Sequence, residues 1–128
     1  MDTGELRNLN PEALAYMGDA VWEQTVREKL LHEGNARVDN LHHKAVGYVN
    51  AEAQAAAIRE IMDDLTEDEL ALVKRARNHK FHSKAKHADP ITYKWATAFE
   101  ALIGYYYLAG ETERLRWFIG RAFSIIGG

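Results

Sequence analysis

The sequence contains no cysteine, which removes disulfides, thiolate metal sites and cysteine nucleophiles at once. Proline is nearly missing as well. Only Pro11 and Pro90 occur in 128 residues, and no Gly/Ser-rich stretch reads as a linker. No apolar run is long enough to span a bilayer. Residues 1–10 lack the apolar stretch of a signal peptide. Sustained period-two alternation is absent, and no turn dipeptide separates two apolar runs, so strands are not expected. There is no internal repeat, no Ser–His–Asp set and no Gly-rich phosphate loop. With 47% hydrophobic residues the chain is not a disordered one. These features predict an all-α fold, one domain over residues 1–128 with one core, and a cytoplasmic setting.

An excess of positive charge is also lacking. The net charge is −3, which argues against nucleic-acid binding until its distribution is read. Residues 74–87, KRARNHKFHSKAKH, hold six Lys/Arg, three His and no acid. Just upstream, residues 60–69 hold six acids and no base. Lys74, Arg75, Arg77, Lys80, Lys84 and Lys86 are candidate phosphate contacts, Asn78 and Ser83 candidate neutral ones, and Lys44 a lesser candidate. The competing reading is a solvated loop that balances the acidic run. His79, His82 and His87 invite a zinc site, but without cysteines or regular ligand spacing the pattern argues against it.

Helical signals run from end to end. Asn10, Pro11 and Glu12 open a helix over about 11–33, with Gly34 as its stop. A second is expected from near Asp39 to about Asp63. Thr66 and Glu69 make a capping-box pattern for a third, about 66–78. Asp89-Pro90 opens a fourth that Gly110 can close, and a fifth covers about 112–126. The fourth is apolar on all faces from Trp95 to Leu108. That predicts either a central helix or one shared with a partner chain, and so a homodimer.

Two acids stand out. Asp19 is the only charged residue between Ala13 and Trp22, and Glu100 the only one between Trp95 and Ala109. An ionised carboxylate among apolar neighbours is costly unless paired, hydrogen-bonded or metal-bound. Each could pair with a base from another helix, or the two could face each other across a hard cation such as Mg²⁺. Glu12 and Glu23 lie near the Asp19 face at helical spacing and are either outer partners or surface residues. Gly18 sits mid-helix, where glycine is unfavourable by about 1 kcal/mol relative to alanine, and would let another backbone approach closely.

LAYMGDAVWE (residues 14–23) resembles the signature helix of the ribonuclease III catalytic domain. TAFEALIGYYYLAGE (97–111) is similar to that family's second carboxylate helix, and HHKAVGYVNAEAQA (42–55) to the helix between them. The resemblance covers nearly the whole chain. It implies the family's all-α endonuclease fold, a homodimer, Mg²⁺ (with Mn²⁺ as a possible substitute), and hydrolysis of double-stranded RNA, with Asp19 and Glu100 as catalytic metal ligands. Two positions depart from the family pattern. Ala15 stands where a glutamate is usual, four residues before Asp19, and Thr97 where an aspartate is usual, three before Glu100. The short length, the expected absence of a separate RNA-binding domain and YMGDA in the first motif together resemble the Mini-ribonuclease III branch. That branch implies processing of large-subunit ribosomal RNA precursor. The alternatives are a catalytically silent RNA-binding or assembly module on the same fold, and a structural helical adaptor with both acids ion-paired.

Overall fold

A computed structural model describes residues 1–34, 37–80 and 89–127. They form seven α-helices: α1 (Thr3–Arg7), α2 (Pro11–His32), α3 (Val38–Val49), α4 (Ala51–Ile61), α5 (Glu67–Asn78), α6 (Pro90–Ala109) and α7 (Thr112–Gly127). A 3-10 turn, Met62–Asp64, joins α4 to α5. No strand occurs among the described residues.

The capping signals act as expected. Asn10 Oδ1 accepts from Glu12 N to start α2, and the reciprocal Thr66–Glu69 capping box starts α5. Asp89 Oδ1 accepts from the amides of Ile91 and Thr92 to start α6. Gly110, at φ +73°, supplies the left-handed residue that ends α6, and Gly34, at φ +90°, follows α2. Two elements differ from the sequence expectation. Residues 3–7 form α1, capped by Asp2, and bury Leu6. The helix expected over 39–63 is two helices. Asn50 adopts an extended conformation between them, accepts from Ala53 N to cap α4, and donates from Nδ2 to Val46 O, 2.8 Å. A polar side chain that serves both ends turns the chain where the apolar period continues.

α6 is the central helix. It packs most extensively on α2, then on α4 and α5, and also meets α7 and α1. Every residue from Ala101 to Tyr106 is buried. Most of the apolar surface of this helix is thus covered within one chain, while Ile91 and Tyr107 remain exposed on it. Trp22, Phe99, Phe118 and Tyr106 fill the space around it, with ring centres 5.0 Å apart for Trp22–Phe99 and 5.3 Å for Phe99–Phe118.

The α2–α6 crossing has no side chain at its centre. A Cβ on Gly18 would lie 1.7 Å from the Glu100 carbonyl oxygen, and one on Gly104 would lie 2.0 Å from that of Leu14. Both glycines are required by contact, because neither has a positive φ. The predicted close approach at Gly18 is what the fold contains.

A second tie joins α5, α6 and α7. Glu69 is buried and accepts from Arg114 Nε and Nη2, each at 2.8 Å, and from the Tyr106 hydroxyl at 2.7 Å. Arg114 Nη2 also donates to Asp64 O, 2.9 Å. Burial pushes the Glu69 carboxyl up, but Arg114, the Thr66 amide and Tyr106 together outweigh it and hold it at about 2.

Two outcomes follow from this packing. Gly18→Ala should destabilise the protein by about 3 kcal/mol or more, because backbone cannot yield as a side chain can. Gly47→Ala, which meets nothing within 4 Å in α3, should stabilise by about 0.5–1 kcal/mol. Urea unfolding of both variants checks this, and equal effects would reject the crossing as the constraint. Arg114→Met should cost about 3 kcal/mol at pH 7, since it strands a buried carboxylate. Glu69 has a folded-state pKa below its ordinary 4.5, so its contribution is present above pH 4.5 and lost as pH falls towards 2. The gap between wild type and variant should close over that window in pH-dependent denaturation.

Candidate active site

Asp19 and Glu100 come together across the glycine crossing. Gly18 brings the α2 backbone against the Glu100 carbonyl, and the next side chain along α2 is Asp19. The two acids line a hollow of about 320 Å³ with Glu12, Ala15, Tyr16, Tyr93 and Thr97. Both positions where the family's usual acid is absent, Ala15 and Thr97, thus face this same hollow. Thr97 uses its hydroxyl locally, donating to Tyr93 O at 2.9 Å.

The acids are unequal. Asp19 is exposed, which corrects the expectation that apolar neighbours along the chain desolvate it. Glu100 is half-buried. Burial pushes its carboxyl up to about 9, and its hydrogen bond to Asp19 and the charge of Asp19 push the same way. Glu23 adds to this, and Gln54 of α4 opposes it. Among the described residues neither acid joins an ion pair, so the structure does not support the reading of two structural ion pairs.

Glu12 and Glu23 divide. Glu23 approaches Arg27 at 3.6 Å. Glu12 reaches the hollow, and its buried Oε1 accepts no hydrogen bond while lying 3.5 Å from His79 Nε2. Two carboxylates facing one another, one of them electrostatically unwilling to ionise, form an oxygen donor set suited to a hard divalent cation. Among the described residues no three His, Cys, Asp or Glu side chains gather as a metal site, so water would fill most of such an ion's shell.

The basic segment is only partly described. Lys74, Arg75, Asn78 and Lys80 are exposed at the end of α5 or just beyond it, and Lys44 is exposed on α3. Arg77 is set apart from them. Its guanidinium lies 5.1 Å from the Trp95 ring centre, as does that of Arg59, and its Nε donates to Asn78 Oδ1 at 3.2 Å. Lys84 and Lys86, with His82, Ser83 and His87, lie outside the described residues. The sequence reading missed Gln54, Arg59 and Trp95. Gln54 carried a faint signal, as a long polar side chain within the alanine-rich run of α4.

Residues 12–111 match the Ribonuclease III domain family. The chain belongs to the ribonuclease III family, whose members are endoribonucleases. Its relatives narrow the branch to Mini-ribonuclease 3. The chain is 53% identical to "Mini-ribonuclease 3" of Symbiobacterium thermophilum, over 84% of this chain and 82% of the relative. It is 48% identical to that of Brevibacillus brevis, over 93% of this chain and 89% of the relative. A crystal structure of a Fusobacterium nucleatum protein superposes with a TM-score of 0.84 at 32% identity, covering 95% of this chain and 97% of that one. No helix among the described residues is long and apolar enough to cross a membrane.

In EDTA at pH 7, Glu100→Gln should be more stable than wild type by about 1 kcal/mol or more, raising Tm by several degrees. The variant keeps the shape and removes a group that burial disfavours as a charge. A lower Tm for the variant would show that Glu100 stabilises the fold.

Proposed function

We propose that this chain is a Mg²⁺-dependent endoribonuclease that cuts double-stranded RNA, with Asp19 and Glu100 as its metal-holding and catalytic residues. The observation that carries the reading is the facing pair in the hollow, where Asp19 and burial oppose ionisation of Glu100. A divalent cation between the two acids would relieve their repulsion. When bound, such an ion activates water and neutralises charge on the reacting phosphate. Asp19, exposed at the mouth, gives the ion a route in; Glu100, on a helix fixed by the core, holds it still. Mn²⁺ offers the same oxygen preference and is expected to substitute.

The reading extends to the substrate. A-form RNA presents phosphates and 2′-hydroxyls more readily than base edges. Lys74, Arg75, Asn78 and Lys80, with Lys44 further off, are exposed side chains of the kind that grips such a surface. Lys84 and Lys86 belong to the same proposal on sequence alone. Arg77 contributes less directly, through its hold on Trp95. The working form is one catalytic domain over residues 1–128, paired as a homodimer so that two sites meet two strands. The expected setting is the cytoplasm and the expected substrate large-subunit ribosomal RNA precursor. A silent RNA-binding module is disfavoured by the retained, costly acid pair.

Incubation with long double-stranded RNA tests this. Cleavage is expected with Mg²⁺ and absent with chelator. Asp19→Asn and Glu100→Gln should each lower the rate by about 10³-fold or more, if charge removal forfeits the ion that stabilises the reacting phosphate. Joint replacement of Lys74, Arg75 and Lys80 by alanine should weaken RNA binding and flatten its salt dependence, while Mg²⁺ binding persists. Wild-type cleavage by either acid variant would remove that residue from the site.

A further inference from the structure

Arg7, Arg27, Lys29, Arg37, Arg114 and Arg121 each meet an acid within the chain. Among the described residues, Arg59 on α4, Lys74, Arg75 and Arg77 on α5, Lys80 just beyond it and Lys94 on α6 do not. Lys44 on α3 and Arg116 on α7 are also unpaired. Arg59 is the least expected of these. It is exposed, and Asp63 lies four residues on, yet the two form no ion pair. Its guanidinium instead lies 5.1 Å from the Trp95 ring centre, where the Arg77 guanidinium also lies at 5.1 Å. Like charges gathered at one ring repel unless an anion joins them.

The arrangement suits a phosphate. Arg77 is half-buried and spends its Nε on Asn78 Oδ1, 3.2 Å, so it acts mainly as a fixed charge. Trp95 packs against the core and gives a firm platform. A guanidinium attracted to an aromatic face still has its N–H fork free for an oxyanion. The patch also borders the hollow. Trp95 stands between Tyr93 and Thr97, which line it, and Arg77 comes two residues before His79, which lies 3.5 Å from Glu12. A strand lying across the acid pair would meet these side chains next. Cations exposed on three helices suit an extended polyanion, whereas a small anion is better held in an enclosed pocket.

We propose that Arg59, oriented on Trp95 beside Arg77, is a phosphate contact that carries the RNA-binding face from α5 onto α4. This rests on the reading of the chain as a binder of duplex RNA, and not on the metal.

Binding of long double-stranded RNA in EDTA tests it. Arg59→Ala should bind about 10-fold more weakly and lower the slope of log affinity against log salt by about 1. Arg59→Lys should keep most of the slope but not the affinity, because an ammonium lacks the planar fork. Arg116→Ala removes the same charge from an exposed position on α7 and should change neither. Wild-type protein that does not bind duplex RNA overturns the RNA reading and this one with it. Wild-type binding with unchanged affinity and slope in Arg59→Ala overturns the role of Arg59 alone. An equal loss in Arg116→Ala does the same, since it would be an effect of net charge. Full affinity in Arg59→Lys overturns the part given to the ring. The unsubstituted protein gives a check that does not depend on any variant folding. Duplex RNA should shift the Trp95 indole N–H resonance, while that of Trp22, bonded to the Tyr48 carbonyl, stays still. A Trp95 resonance that does not move, or one that inorganic phosphate moves as far, would overturn the proposal.

Discussion

α2 and α6 meet backbone to backbone at Gly18 and Gly104, and the rest of the molecule is arranged around that contact. At a usual helix crossing, interdigitating side chains set the separation, and axes lie about 8–10 Å apart. Here the limit is the carbonyl oxygens of Glu100 and Leu14, which leave no room for a Cβ. Asp19 follows Gly18 directly, and Glu100 supplies the carbonyl that Gly18 touches. The separation of the acids is therefore set by main chain. Repacking of Leu14, Trp22 or Phe99 would change the core around the crossing without lying between the two helices at its centre.

Other features serve to hold that crossing in place. α6 is enclosed by α2, α4, α5, α7 and α1, so its twenty residues have little freedom to shift. The bond from Trp22 to the end of α3 ties α3 to α2, and the cap at Asn50 sets where α4 begins. The Glu69–Arg114–Tyr106 cluster fixes α5 and α7 near the other end of α6. Satisfied polar groups in a low-dielectric interior act as rigid connectors. They leave the hollow as the place where polar demand is not met, as the orphaned Glu12 Oε1 records.

Much of this was legible in the sequence because local signals dominate a helical chain. Asn10-Pro11, the Thr66/Glu69 box, Asp89-Pro90 and Gly110 set helix ends by chemistry confined to a few residues. Gly18 could be read as a close approach because glycine mid-helix has a known penalty. Asn50 was hidden, since the apolar period from Leu41 to Ile61 runs straight through it and a cap is recognised only against a break in period. The exposure of Asp19 was misjudged for a related reason. Sequence neighbours on a helix point every way, so apolar company along the chain does not mean burial. Gln54 and the pairing of Arg59 and Arg77 on Trp95 depend on contacts between α4, α5 and α6, which no single segment encodes.

Burial of one acid and exposure of the other also bears on the history open to this chain. Neutralising Glu100 relieves the metal-free fold of a disfavoured charge, whereas restoring it must be carried against that same penalty. A lineage released from selection for RNA cleavage would thus drift downhill in free energy at this position, keeping the fold and any grip on RNA while shedding the chemistry. The return journey would need selection strong enough to offset the lost stability at the moment the acid reappears. Silent members on such a scaffold should accordingly arise often and revert seldom.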